Sequence, residues 1–199
     1  MDRRTFSKLG VFSSALAVIG VMALPAWSES VPSSWEFQFP KTDFTTKSIP
    51  FSDITSGGPP RDGIPAIDDT IFKPIADITD LKATEPVIGL ILNGKARAYP
   101  LRILMWHEIV NDTVGGVPVL VSYCPLCNSG VVFDRRLNDR VLQFGNTGRI
   151  RHFDMVMYDL ETESWWQQFL GEAIVGDLTG QRMTTLPARL ESVEAFLAR

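Results

Sequence analysis

The stretch Val117–Phe133, VPVLVSYCPLCNSGVVF, decides how this chain is read. It places both cysteines of the chain, Cys124 and Cys127, in a Cys-Pro-Leu-Cys turn between two apolar runs. Valine and aromatic residues suit the pleated, half-buried surface of a strand. After the turn comes Asn128-Ser129-Gly130-Val131-Val132-Phe133, which has glycine and a β-branched pair where a helix would need helix formers. The stretch therefore predicts strand, turn, strand, with both sulfurs on the turn. A thioredoxin-type fold, which needs a long helix after the motif to depress the first thiol, is disfavoured.

Toward the C-terminus the pattern continues. Candidate strands at Val117–Tyr123, Gly130–Arg135, Val141–Phe144, Met155–Tyr158, Trp165–Phe169 and Ala173–Val175 are punctuated by glycines. Short strands at this spacing favour antiparallel pairing. Glu191–Leu197 reads as a final short helix. Toward the N-terminus, Leu101–Val110 (LRILMWHEIV) has apolar residues at helical spacing and predicts a short, mostly buried helix. Val87–Leu92 and Lys95–Leu101 flank Asn93-Gly94, the signature of a type I′ hairpin turn. Ser48–Pro74 is dense in Gly and Pro and reads as an ordered loop, with a helical turn expected within Ile71–Leu81. The fold class expected is α+β: a single domain over residues 48–199, mainly antiparallel β with a few short helices. Residues 29–47 read as an extended arm on its surface.

The chain of 199 residues has 45% hydrophobic and 21% charged residues, a globular balance rather than a disordered one. Its net charge is −4, and the first 28 residues are net positive, so the remainder is more acidic still. Such a chain is not suited to a phosphate backbone, which needs Lys and Arg to release counterions, so no nucleic-acid partner is expected. Residues 1–28 read as a targeting segment: Arg3-Arg4 and Lys8, the apolar run Leu9–Leu24, then Ala26-Trp27-Ser28 with small residues for cleavage. The arginine pair resembles a twin-arginine signal, which implies the twin-arginine export machinery as a partner and a periplasmic or extracellular destination. No cysteine follows the apolar run, so lipid anchoring is not expected. The sequence specifies no small-molecule or protein partner.

A C-x-x-C pair serves as a redox disulfide, as part of a metal site or as a clasp. A disulfide across so short a loop removes little chain entropy, about 2 kcal/mol. For metal binding, the turn aims both sulfurs to one side, and further ligands must come from elsewhere. The two histidines of the chain, His107 and His152, are the imidazole candidates, with Met105 beside His107 and Met155 and Met157 beyond His152. Thiolate, imidazole and thioether suit copper; thiolate and imidazole suit zinc. A cysteine nucleophile with His107 as base and Glu108, Asp112 or Asn111 as orienter is a further arrangement of the same residues. Against each stands a structural role: a buried His107 bonded to backbone, a surface His152, core methionines. Gly145–Arg149 lacks the phosphate-loop pattern. Asp154, Asp159, Glu161 and Glu163 lack calcium-loop spacing. Trp165 and Trp166 alternate across a strand, so at least one belongs to the core, while the other is free to line a ligand groove. That groove, with the cysteines as a disulfide clasp, defines a non-enzymatic binding module.

Several stretches together carry a family resemblance: GGPPRDGIPAID (Gly57–Asp68), NGKARAYPLRILMWHEIVND (Asn93–Asp112), VPVLVSYCPLCNSGVVFDR (Val117–Arg135), FGNTG (Phe144–Gly148), MVMYDLETESWWQQ (Met155–Gln168) and GEAIVGDLTG (Gly171–Gly180). In these the chain resembles the family catalogued as domain of unknown function 3179, found in exported and membrane-attached microbial proteins. The resemblance marks HEIVND and YCPLC as hallmarks and so points to His107, Glu108, Cys124 and Cys127 as the site. It brings no activity with it. His152 departs from the family's pattern, which has a small polar residue there.

Overall fold

A computed structural model of the protein describes residues 29–199; the expected targeting segment lies outside the described residues. Three short helices, α1 (Ser33–Gln38), α2 (Leu101–His107) and α3 (Val193–Leu197), accompany antiparallel sheets. The strands are β1 (Ile54–Ser56), β2 (Pro86–Leu92), β3 (Lys95–Pro100), β4 (Ile109–Val114), β5 (Val117–Cys124), β6 (Ser129–Asp134), β7 (Arg136–Leu137), β8 (Arg140–Val141), β9 (Phe144–Arg151), β10 (Asp154–Asp159), β11 (Trp165–Gln167), β12 (Glu172–Val175), β13 (Thr185–Leu186) and β14 (Ala188–Ser192). They form a five-stranded sheet β1-β9-β10-β11-β12, a four-stranded sheet β13-β6-β5-β4, a three-stranded sheet β14-β2-β3 and a β7-β8 ribbon. The expected α+β class, mainly antiparallel with few helices in one compact domain, is what the chain adopts.

The four-stranded sheet is the middle layer, and β5 explains why. Successive side chains of a strand point to opposite faces. Val119, Val121 and Tyr123 pack with Ile88 and Leu90 of the three-stranded sheet and with Leu104 of α2. Leu120 and Cys124 face the other way, into a core with Phe144, Met155, Met157 and Trp166 of the five-stranded sheet. Apolar residues on both faces give the near-continuous run that the sequence displays at Val117–Tyr123. The Asn93-Gly94 hairpin is as expected, with both residues at positive φ (49° and 72°) between β2 and β3.

Asn111 clamps two of these layers together. Its Nδ2 donates to Phe144 O at 2.9 Å and its Oδ1 accepts from Phe144 N at 3.0 Å, so one β4 side chain satisfies both backbone groups of a β9 residue. The same Nδ2 reaches Asp68 Oδ1 at 2.8 Å.

Two local expectations are corrected. The helix predicted over Leu101–Val110 ends at His107; Glu108 is left-handed at φ 58° and Ile109–Val114 is strand β4. Only Leu101 and Leu104 of that helix are buried, whereas Ile103, Met105 and Trp106 are exposed. Residues 29–47 are not an extended surface arm. They include α1 and bury Phe39 and Phe44 in a third core with Trp165, Tyr158 and Val156, on the outer face of the five-stranded sheet. This cover explains a further correction. Trp165 and Trp166 are both fully buried, on opposite faces of β11, and neither lines a ligand groove.

Candidate metal centre

Two hairpin tips from neighbouring sheets meet at the cysteine turn. One is the β5–β6 connection, Pro125-Leu126-Cys127-Asn128. Pro125 has its φ fixed by the ring, and Asn128 leaves at φ 47°, a conformation that asparagine tolerates better than most residues. The Tyr123 hydroxyl donates to Asn128 Oδ1 at 2.8 Å and braces the turn. The other tip is His152-Phe153, which joins β9 to β10 with both residues at positive φ (51° and 66°). Arg151 pairs with Asp154 across it, so this tight reversal delivers Asp154 as the first residue of β10.

At the meeting point the Sγ atoms of Cys124 and Cys127 and a carboxylate oxygen of Asp154 all lie within 4.8 Å of one another. Cys127 Sγ is 3.6 Å from Asp154 Oδ1. On a tetrahedral zinc ion, a thiolate sulfur and a carboxylate oxygen at their usual bond lengths stand about 3.6 Å apart. The spacing therefore fits without moving either group. Both thiols are free, Cys124 buried and Cys127 exposed. Cys124 Sγ sits 3.7 Å from Phe153 O in the facing tip.

Burial controls the protonation of this cluster. It pushes the Cys124 thiol up to about 12, with a further push from the neighbouring Cys127 thiol. It also raises the Asp154 carboxyl above the usual range, although hydrogen bonds, first that from Phe169 N, pull the other way. A reactive redox cysteine has the opposite signature, a depressed thiol in an electropositive setting. A bound cation reverses the balance, because a coordinating thiol gives up its proton.

Neighbouring groups orient two of the three side chains, Asp154 and Cys127. Phe169 N donates to Asp154 Oδ2 at 3.0 Å and leaves Oδ1 facing Cys127. Ser129 Oγ lies 3.1 Å from Cys127 Sγ and 3.1 Å from the buried Gln168 Oε1. Gln168 Nε2 is fixed in turn by Ser122 Oγ at 3.0 Å. Supports of this kind set the direction of ligand lone pairs.

The other residues singled out by sequence take different places. His107 lies outside the cysteine–aspartate cluster. Its Nδ1 is 2.9 Å from Pro65 O, and since a carbonyl only accepts, this bond requires the proton on Nδ1. Glu108 braces the site through its backbone, its carbonyl accepting from Tyr123 N at 2.8 Å. The Glu108 side chain accepts from Asn146 Nδ2 at 2.6 Å, and burial raises its carboxyl while that bond lowers it. Met105 is exposed and lines a depression with Tyr123, on the face of β5 opposite Cys124. His152 is exposed on its hairpin tip, its Nε2 3.5 Å from Asp53 Oδ2. Met155 and Met157 are core residues. Asn111 and Asp112 hold the fold, Asp112 accepting from the Tyr99 hydroxyl at 2.7 Å. In the sequence Asp154 stands only as one of several acidic residues. The signal that would have marked it is its place directly after a two-residue link, and His-Phe carries none of the usual turn chemistry.

The sequence profile of one family matches residues 61–199, well over half of the chain. The chain belongs to the family of proteins of unknown function DUF3179. Neither the comparison with curated proteins nor that with solved structures gives a match. The DUF3179 match includes every residue of the cluster. Within it HEIVND is the antiparallel neighbour of the strand that leads into YCPLC, with Ile109 opposite Ser122.

Proposed function

We propose that this DUF3179 protein is an exported metal-binding protein that holds one zinc ion through Cys124, Cys127 and Asp154. The observation that carries the reading is the convergence of these three ligand atoms within 4.8 Å at two hairpin tips. The carboxylate favours zinc over copper(I), since zinc accepts thiolate and carboxylate oxygen together while copper(I) prefers an all-sulfur or sulfur–imidazole set. Asp154 takes the place first considered for His107. Three protein ligands leave a fourth position for water or an outside ligand, and the exposure of Cys127 opens it to solvent. Export rests on the arginine pair, apolar run and small-residue cleavage site of residues 1–28.

The test is metal analysis of protein purified from its native compartment. One zinc per chain, lost in the Cys124→Ser/Cys127→Ser double variant and held more weakly by Asp154→Asn, supports the reading. The adjacency of two free thiols, one exposed, favours a second reading as a thiol–disulfide pair. A metal-free protein with a readily reduced Cys124–Cys127 disulfide would establish that reading instead. A metal-free protein with an inert disulfide would reduce the pair to a clasp.

A further inference from the structure

On the far side of the middle sheet from the cysteine cluster, a groove of about 860 Å³ opens between the 70–81 loop, β3, α2 and α3. That volume lies within the range of small-molecule sites, about 300–1,000 Å³. Its walls are apolar. Ile71, Ile75, Ile103 and Leu197 line it and are exposed, Ile71 at 90%. Ile103 belongs to α2, the helix that the sequence predicts to be mostly buried. A contiguous apolar surface left open to water marks a binding site rather than a random exposure.

Two cations of the lining, the exposed Lys73 and the half-buried Arg97 of β3, have no carboxylate partner among the described residues, and Arg97 is the one that the protein holds in place. Its Nε is buried without a hydrogen-bond partner. The guanidinium is stacked over the Phe72 ring at 4.4 Å, and Phe72 in turn packs edge-on against Tyr99 at 5.5 Å, so the cation is held in place. By contrast the other two arginines of the lining are neutralised within the protein: Arg102 by Asp80 and Glu85, Arg199 by Glu191. In a chain with excess acidic residues, a fixed and unpaired arginine in an apolar groove calls for an anion from outside.

We infer that this groove binds a single-chain amphipathic carboxylate, with its head group on Arg97 and its hydrocarbon tail along Ile75, Ile103 and Leu197. The apolar walls match the tail and the fixed, unpaired cation matches the head. The reading is independent of the metal centre.

Calorimetric titration of the purified protein with dodecanoate, dodecanol and acetate tests it. Dodecanoate should bind one per chain, dodecanol at least roughly tenfold more weakly, and acetate not measurably, because a charge-assisted hydrogen bond is worth about a factor of ten or more. Arg97→Gln should weaken dodecanoate by the same factor and leave dodecanol unchanged, while Arg97→Lys recovers part of the loss. Ile103→Asp, at an exposed position, should abolish both, with an unchanged thermal melt showing that the fold is intact. Equal binding of dodecanoate and dodecanol, or an Arg97→Gln variant with wild-type affinity, would overturn the inference. So would binding only to phosphatidylglycerol vesicles with none to free dodecanoate, which would make the groove a membrane-facing surface.

Discussion

Replacing Asn111 by alanine removes the clamp between the middle sheet and the five-stranded sheet. The side chain is buried and makes three bonds, two of them to the N–H and C=O of Phe144, itself a core residue. Each buried backbone group left without a partner costs about 1–3 kcal/mol. The bond to the exposed Asp68 adds little, because water can replace it. The expected loss is therefore about 4 kcal/mol, a large share of the 5–15 kcal/mol typical of a domain. With a urea dependence of about 2 kcal/mol/M, the unfolding midpoint should fall by about 2 M. Asn111→Asp should lie close to alanine, since a carboxylate can accept from Phe144 N but cannot donate to Phe144 O, and it faces Asp68. Urea unfolding followed by tryptophan fluorescence is a suitable assay, because Trp165 and Trp166 are both fully buried. A loss under about 1 kcal/mol would refute the clamp and reopen a chemical role for Asn111.

Other predictions follow from single features. Phe39→Ala should cost about 3–5 kcal/mol by thermal or urea unfolding, since the ring is fully buried against Tyr158 and Trp165; a neutral result would return residues 29–47 to a surface arm. Converting His152-Phe153 to Asn-Gly should raise stability by about 1 kcal/mol, because both residues sit at positive φ and both are exposed, and a lowered Tm would contradict this. Glu108 sets a pH dependence. Its carboxyl lies higher in the folded than in the unfolded chain, so between those two values the folded state holds a proton that the unfolded state has lost. Stability therefore falls as pH rises through that window. Glu108→Gln, which keeps an acceptor for Asn146, should remove this fall, and identical Tm-against-pH curves for the two proteins would contradict it.

Where chemistry was local, the sequence was readable. Asn93-Gly94 dictates its own turn, and the apolar residues of β5 announce a strand covered on both faces. The cysteine pair was legible as a turn because Pro125 and Gly130 leave no room for a helix. What escaped was long-range or masked. Ile109 and Val110 continue the helical spacing of α2, and nothing local shows that Glu108 turns left-handed and starts β4. The aromatic residues of the 29–47 segment were seen, but only the packed structure shows them covering Trp165, with Trp35 at 4.9 Å from its ring. At the site, two of the three clustered residues, Cys124 and Cys127, are legible in the sequence. Asp154 is not, because it reaches the cysteines through sheet-to-sheet packing across a turn without a turn signature. His107 was near in sequence, but its place outside the cluster follows from the end of a helix that the periodicity ran too long.

X-ray absorption at the zinc edge of zinc-loaded protein tests the central claim most directly. The account predicts two sulfur ligands at about 2.3 Å and the remaining ligands oxygen at about 2.0–2.2 Å. Asp154→Asn should leave the two sulfurs and perturb the oxygen shell. An imidazole pattern, which would bring His107 or His152 into the shell, or a protein that takes up no zinc, would contradict it.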